Sequence, residues 1–334
     1  MFDVPVLLAL IVLLALVFDF TNGAHDCANA IASAVSTKVV TPRFAVGAAA
    51  LLNLAGALLG TEVARTLGGG IVLPHVVEGS HILVPAALLA AIAWNCITWY
   101  FGIPSSSSHA LIGGLIGAAA ADAGFGALNV QGIVGKVLVP LVAAPLAGFG
   151  GGFLCMWAIY WIFGKVHRRR VSALFRRLQL CSAAFMATSH GLNDAQKTMG
   201  VVTLALFIFG RVESVDVPLW VKLSCAGAMA LGTAVGGWKI VRTMGSRIFK
   251  LEPVHGFTAE SSATLVIAGA SALGCPVSTT HTISACIFGV GSVRRLSAVR
   301  WSVAQSLVTA WVLTLPAAAS VGFASWWALH AIWE

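Results

Sequence analysis

Ten apolar stretches, each near the length that crosses a membrane, alternate with short polar connections along the chain. A helix needs about 20 apolar residues to cross about 30 Å of hydrocarbon. One strongly basic segment, residues 165–177, divides the stretches into two sets of five. The first set is 4–37, 44–60, 82–101, 104–121 and 133–163, and the second set is 178–210, 219–238, 258–274, 278–292 and 301–325. The pattern predicts an all-α integral membrane protein.

The composition agrees with this fold class, because charged residues are too few to cover a water-facing surface. They make up 10% of the 334 residues and apolar residues 58%, whereas a soluble domain is about one quarter charged. The first apolar stretch lacks a basic start and a cleavage site, so we expect it to remain in the mature protein. The seven cysteines form no CxxC pair and are expected to be buried thiols.

An odd number of crossings in each half would send the second half through the membrane in the opposite direction. We therefore predict two inverted-topology repeats of about five crossings each, residues 1–164 and 178–334, joined by a basic cytoplasmic linker over 165–177. Broken or re-entrant helices of both repeats are expected to meet at the midplane. The prediction treats 4–37 and 178–210 as single broken crossings.

The basic residues predict the orientation. Lys and Arg concentrate in the cytoplasmic loops of membrane proteins. With the linker in the cytoplasm, 15 of the 20 Lys and Arg residues fall in cytoplasmic loops, and only four fall outside. We therefore expect a multi-pass protein with both termini outside.

Two pairs of motifs recur in the same order in the two halves. The segment that begins at Gly23, GAHDCANA, matches GLNDAQKT at Gly191, 168 residues later. The segment that begins at Gly102, GIPSSSSH, matches GCPVSTTH at Gly274, 172 residues later. Polar interruptions at corresponding places in two halves point to a substrate site.

The Gly-x-Pro segments predict helices that begin inside the membrane, because proline is tolerated at the first position of a helix. The expected breaks are Gly102, Pro104, Gly274 and Pro276. An isolated serine usually bonds back to the preceding turn, but two matched hydroxyl runs beside two positive helix starts suit a tetrahedral oxyanion. The hydroxyl residues are Ser106, Ser107, Ser108, Ser278, Thr279 and Thr280.

Asp26 and Asp194 lie inside apolar stretches, where an unpaired charge costs several kcal/mol. We expect each to bind a cation or carry a proton, so that anion and cation enter a nearly neutral site together. Asn193 is assigned to the same coupling site. Asn29 lies one turn after Asp26 and would donate to the anion or bind the cation. Lys197, at the matched position, would supply a fixed positive charge or only a structural ion pair.

Four histidines cluster at these motifs, and histidine is a proton carrier near neutral pH. For His25 and His190, proton relay and bracing of the helix both remain open. His109 and His281 are expected to brace the broken helices. Asp19 is interpreted as a packing residue without a further role, and no residue is a certain metal ligand.

At these motifs the chain resembles the PiT family of inorganic phosphate transporters, whose signature is a Gly-Ala-Asn-Asp-x-Ala-Asn-Ala type motif in each inverted half. The resemblance covers nearly the whole chain. His25 before Asp26, and Gln196 and Lys197 in the second half, depart from the commonest signature. Both departures are similar to the proteobacterial low-affinity branch, which is proton-coupled and often moves a neutral metal–phosphate complex. The family also includes sodium-coupled members and sulfate permeases.

The resemblance implies a symporter of the bacterial inner membrane with a phosphate site made from Asp26, Asn29, Asp194 and the two hydroxyl runs. Its expected partners are inorganic phosphate or metal–phosphate, protons or alternatively sodium, and membrane lipid. A homodimer is left open, and neither a cofactor nor nucleic acid is expected. The aspartates favour phosphate over sulfate, because phosphate near neutral pH still has a proton to donate.

Two other classes of function fit the motifs less well. An intramembrane hydrolase would need a nucleophile and base that meet, whereas the neighbours Ser108 and His109 point about 100° apart on a helix. An anion channel would need weak sites along a continuous pore, and two buried aspartates with a lysine indicate an occluding site instead.

Overall fold

The computed structural model describes residues 4–67, 72, 80–214 and 216–333. These residues form helices, apart from connections and one isolated β-bridge. The helices of the first half are α1 Val4–Ser36, α2 Pro42–Ala57, α3 Glu62–Leu67, α4 Leu83–Phe101, α5 Ser107–Ala123 and α6 Val130–Phe163. The helices of the second half are α7 Arg168–Ile208, α8 Leu219–Val235, α9 Trp238–Arg247, α10 Pro253–Ala272, α11 Thr279–Ser292 and α12 Trp301–Trp333. The all-α prediction is confirmed.

Several of the described helices can cross a membrane. Four are long and apolar enough alone, namely Pro5–Ser36, Leu83–Phe101, Val130–Phe163 and Trp301–Ile332. The pair α8 and α9 passes the same test together, with a bend of 63°. By contrast, α5 and α11 have only 17 and 14 residues, or about 26 and 21 Å of helix. The chain is therefore a multi-pass membrane protein with two short inner helices.

The two motif-bearing long helices run without a break. α1 stays helical past Asp26, and α7 stays helical past Asp194. The expectation that 4–37 and 178–210 are broken crossings is wrong. A polar side chain leaves the backbone hydrogen bonds of the helix intact, and only its own polar atoms need partners from neighbouring helices.

Most of the predicted basic linker is also helical. The segment 165–177 contributes its residues from Arg168 onward to the first turns of α7, so that the connection between the halves is only 164–167. The ring of His167 accepts a hydrogen bond from the N–H of Arg169 at 3.3 Å and caps this helix. The arginines of the segment thus lie on a helix end instead of a free loop.

Helices of each half pack against helices of the other half in matched pairs. α1 of the first half packs against α8 of the second, and α7 packs against α2. Likewise α5 packs against α12, and α11 packs against α6. Each contact has a counterpart with the halves interchanged, which is the pattern that a two-fold relation between matched units produces.

Two glycines of the signature motifs lie where α1 crosses α8 and where α7 crosses α2. A Cβ atom added to Gly23 would lie 2.2 Å from the carbonyl oxygen of Met229, and one added to Gly191 would lie 2.1 Å from that of Asn53. Neither distance can hold a methyl group, and small residues are what allow membrane helices to approach so closely. The two glycines therefore have a packing role in bringing the halves together.

The expectation that the cysteines are buried is only partly met. All seven are free thiols, of which Cys27, Cys225 and Cys286 are buried, Cys275 is intermediate, and Cys96, Cys155 and Cys181 are exposed. An apolar stretch on the outside of a helical membrane protein can face lipid, so its thiols need not be covered by protein.

Candidate functional site

Two helical hairpins bring helix starts into the interior. α4 ends at Phe101, Gly102 adopts a left-handed φ of 68°, and α5 begins at Ser107. In the second hairpin Gly274 has a φ of 67°, and α11 begins at Thr279. Glycine adopts this backbone conformation without a steric penalty. The matched glycines thus form the turns of the two hairpins.

The helices begin at serine caps and not at the prolines. Pro104 and Pro276 each lie in the connection, three residues before the following helix begins. Ser106 and Ser278 each accept a hydrogen bond at 3.2 Å from the N–H of the histidine three residues later. The expectation of proline at the first helical position is wrong, because a serine at the N-cap offers a hydroxyl that accepts a free N–H of the first turn, whereas the residues before the prolines are apolar. These two hydroxyl groups serve as caps.

Asp26 of α1 receives hydrogen bonds from both hairpin tips. Ser107 donates to Oδ2 at 2.9 Å, and Thr280 donates to Oδ1 at 3.3 Å. His25 Nδ1 lies 2.5 Å from Oδ1, and its Nε2 lies 3.1 Å from the hydroxyl of Thr98. Within the described part of the chain no Lys or Arg lies in ion-pair range of Asp26, so its neighbouring base is a histidine.

Asp194 of α7 has a lysine among its hydrogen-bond donors, unlike Asp26. Thr279 donates to Oδ2 and Asn193 donates to Oδ1, both at 2.9 Å. His190 Nε2 lies 3.0 Å from Oδ2, and the ammonium group of Lys197 donates to Oδ1. This aspartate therefore has a permanent positive partner that Asp26 lacks.

Side-chain hydrogen bonds connect each long helix with the hairpin of the other half. Asn29 donates from Nδ2 to the hydroxyls of Thr279 and Thr280 at 3.1 and 2.9 Å. Lys197 donates from Nζ to the hydroxyl of Ser108, in the hairpin of the other half, and to the carbonyl of residue 277, in its own half. Positions 29 and 197 are matched, and so are 108 and 280. The hydrogen bonds between the halves thus show the same matched pattern as the helix packing.

We call this cluster the polar cage. It consists of Asp26, Asn29, Ser107, Ser108, Asp194, Lys197, Thr279 and Thr280. Each of these residues is at most 5% exposed, so the cage is closed to both sides in this structure. Its hydroxyl and ammonium groups donate directly to the carboxylates, and the amide of Asn29 donates to the hydroxyls of Thr279 and Thr280. An entering anion would have to replace some of these hydrogen bonds with its own.

The two aspartates of the cage and one neighbouring histidine have the donor set of a cation site. Asp26, His190 and Asp194 offer ligand atoms that lie within 4.8 Å of one another. An imidazole nitrogen with two carboxylate oxygens is a set that divalent transition metals accept. The arrangement can hold a cation beside the hydroxyl donors that would face an anion.

The two remaining motif histidines contact each other instead of the acids. The rings of His109 and His281 lie 5.0 Å apart, centroid to centroid. His281 also stacks on Trp311 of α12 at 4.3 Å. These contacts hold the first turns of the two short helices side by side, which supports a bracing role.

Sequence reasoning missed a buried acid beside the cage. Glu260 of α10 is 0% exposed and accepts hydrogen bonds from Ser33, Ser182 and Gln179. It lies within a predicted apolar stretch, so the rule that selected Asp26 could have found it. Ser33 lies two helical turns after Asp26, so this acid lies about 10 Å along α1 from the cage.

The protein is helical and multi-pass, and its two halves make matched contacts with each other. Its two hairpin tips meet at a buried polar cage. This arrangement defines a membrane transporter. Comparison with known proteins identifies its family. Residues 22–322 match the Phosphate transporter family. The chain belongs to this family, and the resemblance carried by its motifs is confirmed.

Individual relatives match over nearly the full length. A probable low-affinity inorganic phosphate transporter of Bacillus subtilis is 47% identical over 328 residues, which cover 98% of each chain. A protein of the same description from Rhizobium meliloti is 50% identical over 319 residues, 95% of this chain and 94% of that one. A solved structure titled the sodium-dependent phosphate transporter has a TM-score of 0.86 at 25% identity, covering 98% of this chain and 100% of that chain.

Proposed function

We propose that the chain is a symporter that carries inorganic phosphate together with protons, by alternating access through the polar cage. The observation that carries the proposal is the position of Lys197. The residue is 2% exposed, and its ammonium group contacts both Asp194 and Ser108, which belong to different halves. A fixed positive charge therefore lies where the long helices and the hairpin tips meet.

The cage offers phosphate the donors that a tetrahedral anion needs. Ser107, Ser108, Thr279 and Thr280 carry hydroxyl groups in the first turns of α5 and α11. The N–H groups of a first helical turn lack partners within the helix and favour anions. Asn29 supplies an amide donor from the opposite side.

The aspartates require that cations enter with the anion. A phosphate dianion beside two ionised carboxylates brings the local charge to about −4, which a low-dielectric site cannot hold. Lys197 offsets one of these charges. Protons or one divalent metal must offset the remainder, and Asp26 is the acid that lacks a permanent partner.

The cation site makes a metal–phosphate complex a suitable form of the substrate. Asp26, His190 and Asp194 would bind the metal of such a complex, while the hydroxyl groups bind its phosphate. The metal then enters as part of the cargo and neutralises the carboxylates on the way.

The reciprocal contacts support two inverted repeats, residues 1–164 and 178–334, that rock against each other about the cage. In this scheme the basic loops face the cytoplasm and both termini lie outside. Opening to either side would break the cross-links from Asn29 and Lys197 to the hairpin tips.

Sodium-coupled symport is the second candidate, because the solved structure of similar fold is titled a sodium-dependent phosphate transporter. In that case a sodium ion would accompany phosphate at Asp26. The presence of Lys197 argues against it, since a permanent charge occupies part of the space where a second cation would bind.

Uptake of labelled phosphate into proteoliposomes tests the proposal. An inward proton gradient without sodium should increase the initial rate about tenfold or more over the rate without a gradient. Sodium at fixed pH should add nothing, and excess sulfate should not compete. Uptake that depends on sodium and ignores the proton gradient would contradict proton coupling, and inhibition by sulfate would contradict the choice of anion.

A further inference from the structure

A second acid of α1 lies outside the polar cage. Asp19 is 0% exposed and lies seven residues before Asp26, on the same face of α1 and about 10 Å away along its axis. A carboxyl group is a poor packing element between membrane helices, because its charged form is costly there unless it is paired. The interpretation of Asp19 as a packing residue therefore leaves its carboxyl unexplained.

The two oxygens of this carboxyl have unequal surroundings. Oδ1 accepts a hydrogen bond of 2.8 Å from the hydroxyl of Thr198 on α7. Oδ2 has no hydrogen-bond partner among the described residues. The thiol of Cys225 on α8 faces the same carboxyl, but a thiol is only a weak donor. An ionised carboxylate at this place is thus supported by one good hydrogen bond.

Among the described residues no Lys, Arg or His lies in ion-pair range of Asp19, Lys222 on α8 included. The charged groups that act on it are Asp194 and Lys197 of α7, and these two are already paired with each other. α4, which also packs against α1, contains no Asp, Glu, His, Lys or Arg. The neutral acid is therefore a state that these surroundings support, since it removes an uncompensated charge.

The hydrogen-bond donor to Asp19 is connected to the cage. Thr198 directly follows Lys197 on α7, so a movement of α7 relative to α1 that opens the cage also moves this hydroxyl. Loss of the hydrogen bond would favour protonation of Asp19, and its return would favour release. The geometry thus links the protonation of Asp19 with the opening of the polar cage.

We propose that Asp19 binds the proton that is coupled to phosphate transport, a role that rests on the proton-coupled symport proposed above. A proton from water adds to the carboxylate and forms the neutral acid, and the same proton leaves to water on the other side. In the proposed orientation Asp19 lies on the outer side of the cage, where it takes up the proton before release to the cytoplasm.

Two assays in proteoliposomes separate this role from a structural one. Exchange of labelled for unlabelled phosphate at equal pH needs binding and alternating access, but no net movement of protons. Accumulation under an inward proton gradient needs both. For Asp19→Asn we expect exchange within about twofold of wild type and accumulation no higher than without a gradient. Asp19→Glu, which restores the carboxyl, should again accumulate phosphate.

A second variant leaves the acid in place. Thr198→Val removes the hydroxyl donor to Oδ1, which stabilises the ionised form, so the carboxyl should take its proton at higher pH. The pH dependence of gradient-driven uptake should therefore shift upward by about half to one unit. An unchanged profile would contradict the proposal, and it checks the role independently if Asp19→Asn folds poorly.

The two assays distinguish a wrong assignment of Asp19 from a wrong choice of coupling ion. If Asp19→Asn accumulates phosphate in response to the gradient, Asp19 is not the proton site. If Asp19→Asn and Asp19→Glu both lose exchange and accumulation, the residue is structural and the inference is wrong. If the wild-type protein itself ignores the proton gradient and requires sodium, proton coupling fails, and the inference fails with it.

Discussion

The side-chain amide of Asn29 donates a 2.9 Å hydrogen bond to the hydroxyl of Thr280, which lies in the other half of the chain. Its counterpart is the hydrogen bond from Lys197 to Ser108. Lys197 is at the position matched to Asn29, and Ser108 is at the position matched to Thr280, so the two halves have changed roles. Each long helix therefore holds the hairpin tip of the opposite half. Any motion that separates a tip from the facing helix must break one of these links.

The first prediction concerns the two cage aspartates. Asp26→Asn removes a charge and keeps the shape, so we expect phosphate uptake to fall below about one tenth of wild type with folded protein in the membrane. Asp194→Asn should abolish uptake too, and should also destabilise the fold, because it leaves Lys197 buried without its partner. Uptake is measured in proteoliposomes and normalised to folded protein from size-exclusion chromatography.

An acid outside the cage provides the matched control for these variants. Glu213 is exposed in the connection after α7, and Glu213→Gln should leave uptake unchanged. Wild-type uptake by Asp26→Asn at equal protein amount would show that the charge at position 26 has no coupling or binding role.

The second prediction tests the close crossing of α6 and α11. A Cβ atom added to Gly152 would lie 2.6 Å from the carbonyl oxygen of Cys286, whereas one added to Gly150, two residues earlier, has nothing within 4 Å. Overpacking costs about 1–3 kcal/mol, so Gly152→Ala should lower the thermal midpoint in detergent by roughly 3–10 °C. Gly150→Ala should leave it within about 1 °C. Equal midpoints for the two variants would rule out this packing.

The third prediction concerns orientation. Four segments, 38–43, 165–177, 239–250 and 294–300, hold most of the basic residues and should lie in the cytoplasm with both termini outside. A cysteine in place of Arg170 should react with a membrane-impermeant reagent only after the cells are permeabilised. A cysteine in place of Ser214, in the exposed connection after α7, should react in intact cells.

The labelling needs a background without reactive thiols. Cys96, Cys155, Cys181 and Cys275 are exposed or partly exposed and should be replaced by serine, whereas the three buried cysteines can remain. Labelling of position 170 in intact cells, with position 214 protected, would reverse the orientation.

The sequence predicts the cage wherever a polar residue interrupts an apolar stretch in both halves, as at Asp26 and Asp194. Glu260 obeys the same physical rule, but the position matched to it in the first half is Leu88. Internal repetition therefore gave no signal for that acid. A rule based on burial cost alone selects it, and a rule based on matched motifs does not.

The errors in the predicted elements have a common physical origin. Hydropathy reports side chains, whereas the continuity of α1 through its motif depends on backbone hydrogen bonds that polar side chains leave intact. Conversely, the starts of α5 and α11 depend on which residue caps the helix, and Ser106 was available as a cap after Pro104. The contact of Lys197 with Ser108 joins residues from different halves, and only tertiary packing brings them together.

The last prediction concerns Lys197 and the choice of coupling ion. Its ammonium group bonds Asp194 and Ser108 inside the cage, so it offsets one negative charge there. Lys197→Asn removes that charge and leaves Asp194, among the described residues, with hydroxyl, amide and imidazole neighbours. Phosphate entry would then require one more cation, because the buried carboxylate and the anion cannot both stay uncompensated. We expect gradient-driven uptake without sodium to fall about tenfold or more, and sodium to restore part of it. Lys197→Arg, which keeps the charge, is the matched control and should remain indifferent to sodium. Initial rates are measured at fixed pH with sodium varied against choline. Wild-type rates for Lys197→Asn without sodium would mean that Lys197 only pairs with Asp194, and that proton coupling depends on other groups.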